Sequence, residues 1–400
     1  MKPPDRNAPE TLLANITQAM PERIEPRCQH FGTCGGCQLQ HLSYEQQTTA
    51  KQAMLIDLLR NAGLHTLPEI QLHTAEPWSY RNRARMRVQG NAIGYSRRAS
   101  NDFLPIAECP IVSPILWQTA QALQAGIAKW PASTSSFELF VNDNESAIQL
   151  SLQLEAHVAT VDRNAPTDLR TLCDTLQARI PQLTGAGLSV AATPDRTQSR
   201  RVQESQRVEI ARWGQSAMHY NVAGRDYRIT RNAFFQVNRY LATQMVNLVT
   251  HYRNGALAWD LFAGAGLFSV PLTERFTQVV AVEIGEPAAT DLAVHLQACG
   301  TQHKAIRSTT QAFLEAQAKN LTTTPDLIVL DPPRAGLGPV VTHALSQIGP
   351  HEIVYVSCDA GTFVRDAKPL IKNGYTLAEL HLLDLFPQTF HTETIAVFRR

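Results

Sequence analysis

From Ala256 onward, short apolar runs alternate with helical stretches, and this order constrains the fold more than any single residue does. LAWDLF runs into GAGLFSVPL, VVAVEI ends at Glu283, and DLIVLDPPR and IVYVSC follow, each apolar run ending on polar or glycine-bearing sequence. Strand, helix, strand, helix is the pattern of a doubly wound parallel sheet, an α/β architecture. Ligands bind such a sheet at the carboxyl ends of its strands, so Glu283, Asp331 and Cys358 are candidate site residues. Gly264 and Gly266 let a ligand approach the backbone, but Ser269 fills the third glycine position of the dinucleotide fingerprint. With Glu283 placed to accept both hydroxyls of a ribose, the pattern favours a single adenosyl ligand. Cys358, at the end of an apolar strand, stands where a covalent nucleophile would; the competing reading is a buried structural thiol.

Upstream, residues 72–210 carry short alternating runs such as FELFVND and SAIQLSLQL, with one helical stretch over residues 167–179, which predicts an antiparallel α+β region. HLSYEQQTTAKQAMLIDLLRNAGL predicts a helix with Ser43 as N-cap and Gly63 as the stop. The pattern changes near residues 220–229, giving three expected segments, 1–70, 71–215 and 216–400. A hydrophobic content of 44% with 18% charged residues excludes disorder. No apolar window is long enough to span a membrane, and the first residues lack a leader's basic start and apolar core, so a cytoplasmic protein is expected.

In a reducing compartment, clustered cysteines act as ligands or catalysts more often than as crosslinks. Cys28, Cys34 and Cys37 have the spacing C-x5-C-x2-C, and Cys109 precedes a proline. Gly35 and Gly36 permit the tight turn that aims Cys34 and Cys37 at one centre. Four thiolates suit a zinc ion or an iron–sulfur cluster, and the spacing does not choose between them. A thioredoxin-like reading of CGGC leaves Cys28 and Cys109 without a role, and a zinc deaminase needs H-x-E ahead of its C-x-x-C. Cys173 and Cys299 are expected to be packing residues.

The net charge is only +1, yet WSYRNRARMRVQGNAIGYSRR sets Arg81, Arg83, Arg85 and Arg87 at period two, with Arg97 and Arg98 beyond an expected turn at Gly94. On a strand these four guanidiniums share a face, and the run holds no acid to neutralise them. That pattern points to the phosphate backbone of a nucleic acid.

The cysteine cluster, NAFFQVN, DLFAGAGLFSVPL, LIVLDPPRAGL, YVSCDAGTFVRD and DLFPQTFHTE, in this order, resemble the RNA 5-methyluridine methyltransferase family over nearly all of the chain. The resemblance implies a C-terminal Rossmann-like, S-adenosylmethionine-dependent methyltransferase domain behind an α+β RNA-binding region that carries the cluster. By position it assigns S-adenosylmethionine contacts to Gln236, Phe262, Glu283 and Asp331, the nucleophile to Cys358, and the base to Glu393. It also implies a [4Fe–4S] cluster on Cys28, Cys34, Cys37 and Cys109. A thiolate adding to uracil C6 makes C5 nucleophilic, and a carboxylate must then remove the C5 proton before the thiol leaves. Pro332 and Pro333 stiffen the loop after Asp331, Arg334 is available to a phosphate or carboxylate, and Asn238 is expected to be a cap or turn residue.

The chain departs from the family at Asp359 and Ala360, where asparagine and proline usually follow the nucleophile, and LAVHLQACG lacks an asparagine common in that helix. The 27 residues before Cys28 are too few for the TRAM barrel of many relatives. A cluster without TRAM favours 23S rRNA as substrate, with the tRNA T-loop as the alternative, and a base flipped into the site is expected. No membrane and no obligate protein partner is expected. Two other classes stay open: an RNA-binding factor on a methyltransferase scaffold, and a methyltransferase acting on DNA or a small molecule.

Overall fold

The computed structural model describes residues 8–20, 22–126, 130–157, 161–191, 207–320 and 322–400. Residues 1–7, read above for a leader, and 192–206 of the alternating region lie outside these. The described strands are β1 (Ile70–His73), β2 (Arg83–Gln89), β3 (Ala92–Ser96), β4 (Phe103–Pro105), β5 (Thr134–Val141), β6 (Ile148–His157), β7 (Leu183–Ala191) and β8 (Arg207–Gly214). They continue with β9 (Ala217–Val222), β10 (Arg225–Thr230), β11 (Gly255–Leu261), β12 (Phe276–Glu283), β13 (Lys304–Arg307), β14 (Leu327–Leu330), β15 (Glu352–Ser357), β16 (Thr376–Leu383) and β17 (Glu393–Arg399).

An eight-stranded sheet runs β1-β16-β17-β15-β14-β11-β12-β13. The five strands from β15 to β13 are mutually parallel, whereas β17 is antiparallel to both of its neighbours, β15 and β16. Successive residues point to opposite faces, and both faces are buried. On β14, for example, Ile328 and Leu330 enter one core and Leu327 and Val329 the other. This is the doubly wound sheet expected from the strand–helix alternation.

Helix Tyr44–Asn61 starts at Ser43 with a reciprocal capping box to Gln46, and Gly63 stands just beyond its end at φ +86°. Its apolar face joins the C-terminal core, with Met54, Leu55 and Leu59 buried in one cluster with Tyr355, Phe363 and Leu380. β1 starts at residue 70 and pairs with β16, a strand in the expected segment 216–400.

The second sheet, β4-β3-β2-β5-β6-β7-β8, is antiparallel as expected except for the parallel pair β6–β7. The helix Ala165–Gln177 between those strands carries the chain back to the same end, so the next strand runs in the same direction. Two details of the arginine segment are corrected. Arg81 lies outside β2, making isolated bridges to Val112 and Asn238. Gly94 is a strand residue rather than a turn: a Cβ there would sit 2.0 Å from the Leu104 carbonyl oxygen, and the left-handed turn residue is Gly90 at φ +56°. No helix among the described residues is long and apolar enough to cross a membrane.

Helix Tyr44–Asn61 is also joined to the loop before β17 by a buried ion pair, Lys51 Nζ to Asp384 Oδ1 at 2.6 Å, both side chains 1% exposed. Lys51 donates as well to the Phe386 carbonyl at 3.1 Å. Removing one partner of such a pair strands the other charge. Lys51→Met is expected to cost about 3–5 kcal/mol in urea unfolding, and Lys51→Met with Asp384→Leu to recover most of the loss; equal stability of the two variants would contradict this.

Candidate active site

The carboxyl ends of β12, β11, β14 and β15 lie side by side, and β17, running the other way, brings its first residue to the same edge. Ser357 pairs with Thr394, so one step further along the antiparallel register Cys358 stands opposite Glu393. Asp331 follows β14 on the adjacent strand and donates its amide to the Leu261 carbonyl at 3.3 Å. Phe262, at φ +64°, leads from β11 into the glycine loop, and a side chain built at Gly264 would meet open space. The Glu283 carboxylate is held by three backbone amides, Ile284 at 2.8 Å, Gly285 at 2.6 Å and Gly264 at 2.9 Å. Those bonds fix its orientation beside the loop.

Gln236 is set back from this edge, on segment 231–241. Its carbonyl accepts from Asn82 Nδ2 at 2.9 Å. Asn238 is the turn residue expected: its Oδ1 accepts from the amides of Tyr240 and Leu241, while its Nδ2 donates to the Leu385 carbonyl. Asp359 caps helix Ala360–Lys372, its carboxylate accepting from the Thr362 amide at 2.8 Å. A carboxylate suits a helix N-terminus, so the departure from asparagine keeps the turn behind Cys358 closed.

Burial dominates the electrostatics. It pushes the Glu393 carboxyl far above the usual range, helped by Asp331 and opposed by Arg334. Burial, then Asp260, raises Asp331 to about 7. The Cys358 thiol is pushed up to about 12 by burial and by Glu393, Asp331 and Asp359, with Arg334 opposing. Burial thus favours the protonated forms of Cys358 and Glu393. His391, which accepts from Arg334 at 3.3 Å, is lowered to about 3 by burial and nearby cations and is neutral.

Sequence reasoning missed Asp260. It is fully buried, accepts from the Ser269 hydroxyl, and leaves its second oxygen without a partner. A charge inside the apolar run LAWDLF was the available signal. Ser269, read only as a missing glycine, is its partner.

Cys28, Cys34, Cys37 and Cys109 line one cavity of about 360 Å³ together with Arg81 and Tyr95. Burial raises Cys37 to about 12 and Cys109 to about 11. The Arg81 Nε is buried without a hydrogen-bond partner. Among the described residues, no three of His, Cys, Asp or Glu converge closely enough to hold a single metal ion.

The arginine face is less bare than its sequence. Glu138, on β5 directly opposite Arg85, binds Arg85 at 3.1 Å and lies 3.5 Å from Arg83, whose guanidinium sits 4.0 Å from the Phe140 ring centroid. The acid came from the neighbouring strand, where a scan of the arginine run does not look. Arg85, Arg87, Arg97 and Arg98 remain exposed.

The family profile described as tRNA (Uracil-5-)-methyltransferase matches residues 214–400. A 23S rRNA (uracil(1939)-C(5))-methyltransferase RlmD of Pectobacterium carotovorum is 31% identical over 96% of this chain and 82% of the relative. The RlmD of an Enterobacter species is 30% identical over 95% of this chain and 83% of its own length. The chain also superposes on the Pyrococcus abyssi tRNA (uracil-54, C5)-methyltransferase, solved with S-adenosyl-L-homocysteine. The TM-score is 0.71 and the identity 22%, with 91% of this chain and 85% of that one covered, a likeness of fold.

Burial raises Asp260 from 3.8 to about 7. Its ionisation is thus easier in the unfolded chain, so stability is full below pH 4 and is lost as the pH climbs from about 4 to 7. Asp260→Asn mimics the protonated acid and is expected to be more stable than the parent at pH 8 by roughly 4 kcal/mol, a difference that vanishes towards pH 4. Melting curves across that range check it, and a less stable variant at pH 8 would refute it.

Proposed function

The chain belongs to the RNA 5-methyluridine methyltransferase family and is an RNA uracil-C5 methyltransferase; from that premise we propose that it methylates C5 of a uridine in 23S rRNA through a covalent adduct on Cys358. The observation that supports the proposal is the pairing of Ser357 with Thr394, the residues next to Cys358 and Glu393, together with the charge of Glu393 acting on the Cys358 thiol. The Cys358 thiol gives up its proton to water and its sulfur adds as a thiolate to uracil C6, so that the ring becomes an enolate with its charge at C5. S-adenosylmethionine supplies the methyl group as an electrophilic sulfonium. Glu393, which must first lose its own proton to water, then takes the C5 proton as a carboxylate. The C5–H bonding electrons restore the C5–C6 double bond, and the sulfur leaves C6 as a thiolate with the C–S electrons.

Gln236, Phe262, Glu283 and Asp331 are proposed to hold the cofactor. The open space at Gly264 and the fixed carboxylate of Glu283 fit an adenosyl group. A sulfonium near Asp331 and Asp260 would favour their ionised forms, which burial disfavours. Four thiols line the cysteine cavity beside His30 and Glu108, with Arg81 offering an unpaired donor, and a [4Fe–4S] cluster suits that set of thiols better than a single ion. Cys28, Cys34, Cys37 and Cys109 would hold it, and it would tie their loops together. Exposed Arg85, Arg87, Arg97 and Arg98 are proposed to meet RNA phosphates. The relatives named for 23S rRNA favour that substrate over tRNA.

Two measurements test this reading. Tritiated S-adenosylmethionine should label 23S rRNA from a strain lacking this gene, and Cys358→Ala should abolish the label; label in tRNA alone would move the substrate to the T-loop, and none in either RNA would point to a binding factor. Between pH 6 and 8, affinity for S-adenosylmethionine should rise about tenfold relative to S-adenosylhomocysteine, which lacks the positive charge, as Asp331 ionises near 7. A constant ratio would remove Asp331 from the sulfonium's surroundings.

A further inference from the structure

Glu393 stands at the end of loop 384–392, and the carbonyls of four consecutive loop residues each accept a hydrogen bond from another part of the chain. Leu385 accepts from Asn238 Nδ2 at 3.0 Å, Phe386 from Lys51 Nζ at 3.1 Å, and Pro387 from the Tyr80 hydroxyl at 3.1 Å. The fourth, Gln388, accepts from the amides of Gln38 at 2.8 Å and Leu39 at 3.0 Å, the two residues that follow Cys37.

Gln388 is 2% exposed and its backbone is left-handed, at φ +70°, a conformation that costs a residue with a side chain and persists only where its surroundings enforce it. Its side chain and amide form a reciprocal pair with Gln47, at 2.9 and 3.0 Å. The Gln38 side chain reaches both ways: its Nε2 donates to the Gly35 carbonyl at 2.8 Å, inside the turn between Cys34 and Cys37, and its Oε1 accepts from the Phe390 amide at 3.4 Å. One glutamine thus spans the cysteine turn and the backbone three residues before Glu393.

We infer that Gln38 and Gln388 are positioning residues through which the cysteine turn holds Glu393 for removal of the C5 proton. The inference rests on Glu393 being the base. It places the influence of the cysteine segment on one step: the sulfur of Cys358 is held by β15, which this clamp does not touch, so addition to C6 proceeds without it. The carboxylate must reach a proton on a tetrahedral carbon, and small displacements of a reacting group lower the rate steeply. A loosened clamp therefore leaves the methylated ring attached to Cys358, because the proton on C5 blocks expulsion of the sulfur.

The test uses the full-length protein, with its metal centre intact, and the partly exposed Gln38, whose replacement leaves the core untouched. Gln38→Ala should lower kcat about tenfold with KM for RNA unchanged. A covalent protein–RNA species carrying the tritiated methyl group should accumulate on denaturing gels with ordinary uridine RNA. Amide exchange should quicken over residues 386–393 and stay unchanged in β15, and Gln38→Glu, which keeps the acceptor for Phe390, should restore part of kcat. Unchanged exchange in that loop, or a slower enzyme without the adduct while Glu393→Gln accumulates it, would overturn the inference. If Glu393→Gln itself accumulates no adduct, the base assignment fails, and the clamp's role in proton removal with it.

Discussion

The placement of β17 is the constraint on which the site depends. A purely parallel sheet delivers only the ends of its strands to the ligand edge, and those ends come from consecutive βα units. A strand inserted in the opposite sense between β15 and β16 delivers its beginning instead. That is how a residue 35 positions from Cys358 comes to lie one step beyond the Ser357–Thr394 pair, close enough for its charge to act on the thiol. The arrangement is rigid, because both flanks of β17 are bonded and its residues from Glu393 to Phe398 are buried.

Around this pair the protein gathers acids where burial opposes their ionisation. Asp260 raises the proton affinity of Asp331, and Asp331 that of Glu393, where Arg334 acts against it. Such a cluster is stable as a set of neutral groups and becomes anionic in answer to a cation. Under the proposed function, a positively charged methyl donor is met by acids whose ionisation burial opposes.

The doubly wound sheet, the helix capped by Ser43 and the edge residues Glu283, Asp331 and Cys358 were legible because their signals are local: apolar runs, a cap, a polar residue ending a strand. The illegible features depend on pairing across long stretches of chain. Glu138 neutralises arginines 53 and 55 residues earlier, and only strand register sets it against them. Gln38 and Gln388 meet across 350 residues with no pattern to announce them. The parallel β6–β7 pair was hidden for a different reason, since alternation reveals a strand but not its direction. Asp260 was visible as a charge in an apolar run, yet its meaning needed Ser269 beside it.

The sharing of one core by the two ends of the chain also governs how the molecule must be assembled. β1 has its partner in β16, about 300 residues later, and helix Tyr44–Asn61 packs on Tyr355 and Phe363. Until the last part of the chain exists, the early helix lacks its partners Tyr355, Phe363 and Leu380, and the cysteine turn has no loop to grip. Contacts of such long range are formed late and slowly. During synthesis the turn that carries Cys34 and Cys37 therefore waits for the loop it meets in the fold until nearly all of this sequence has been made.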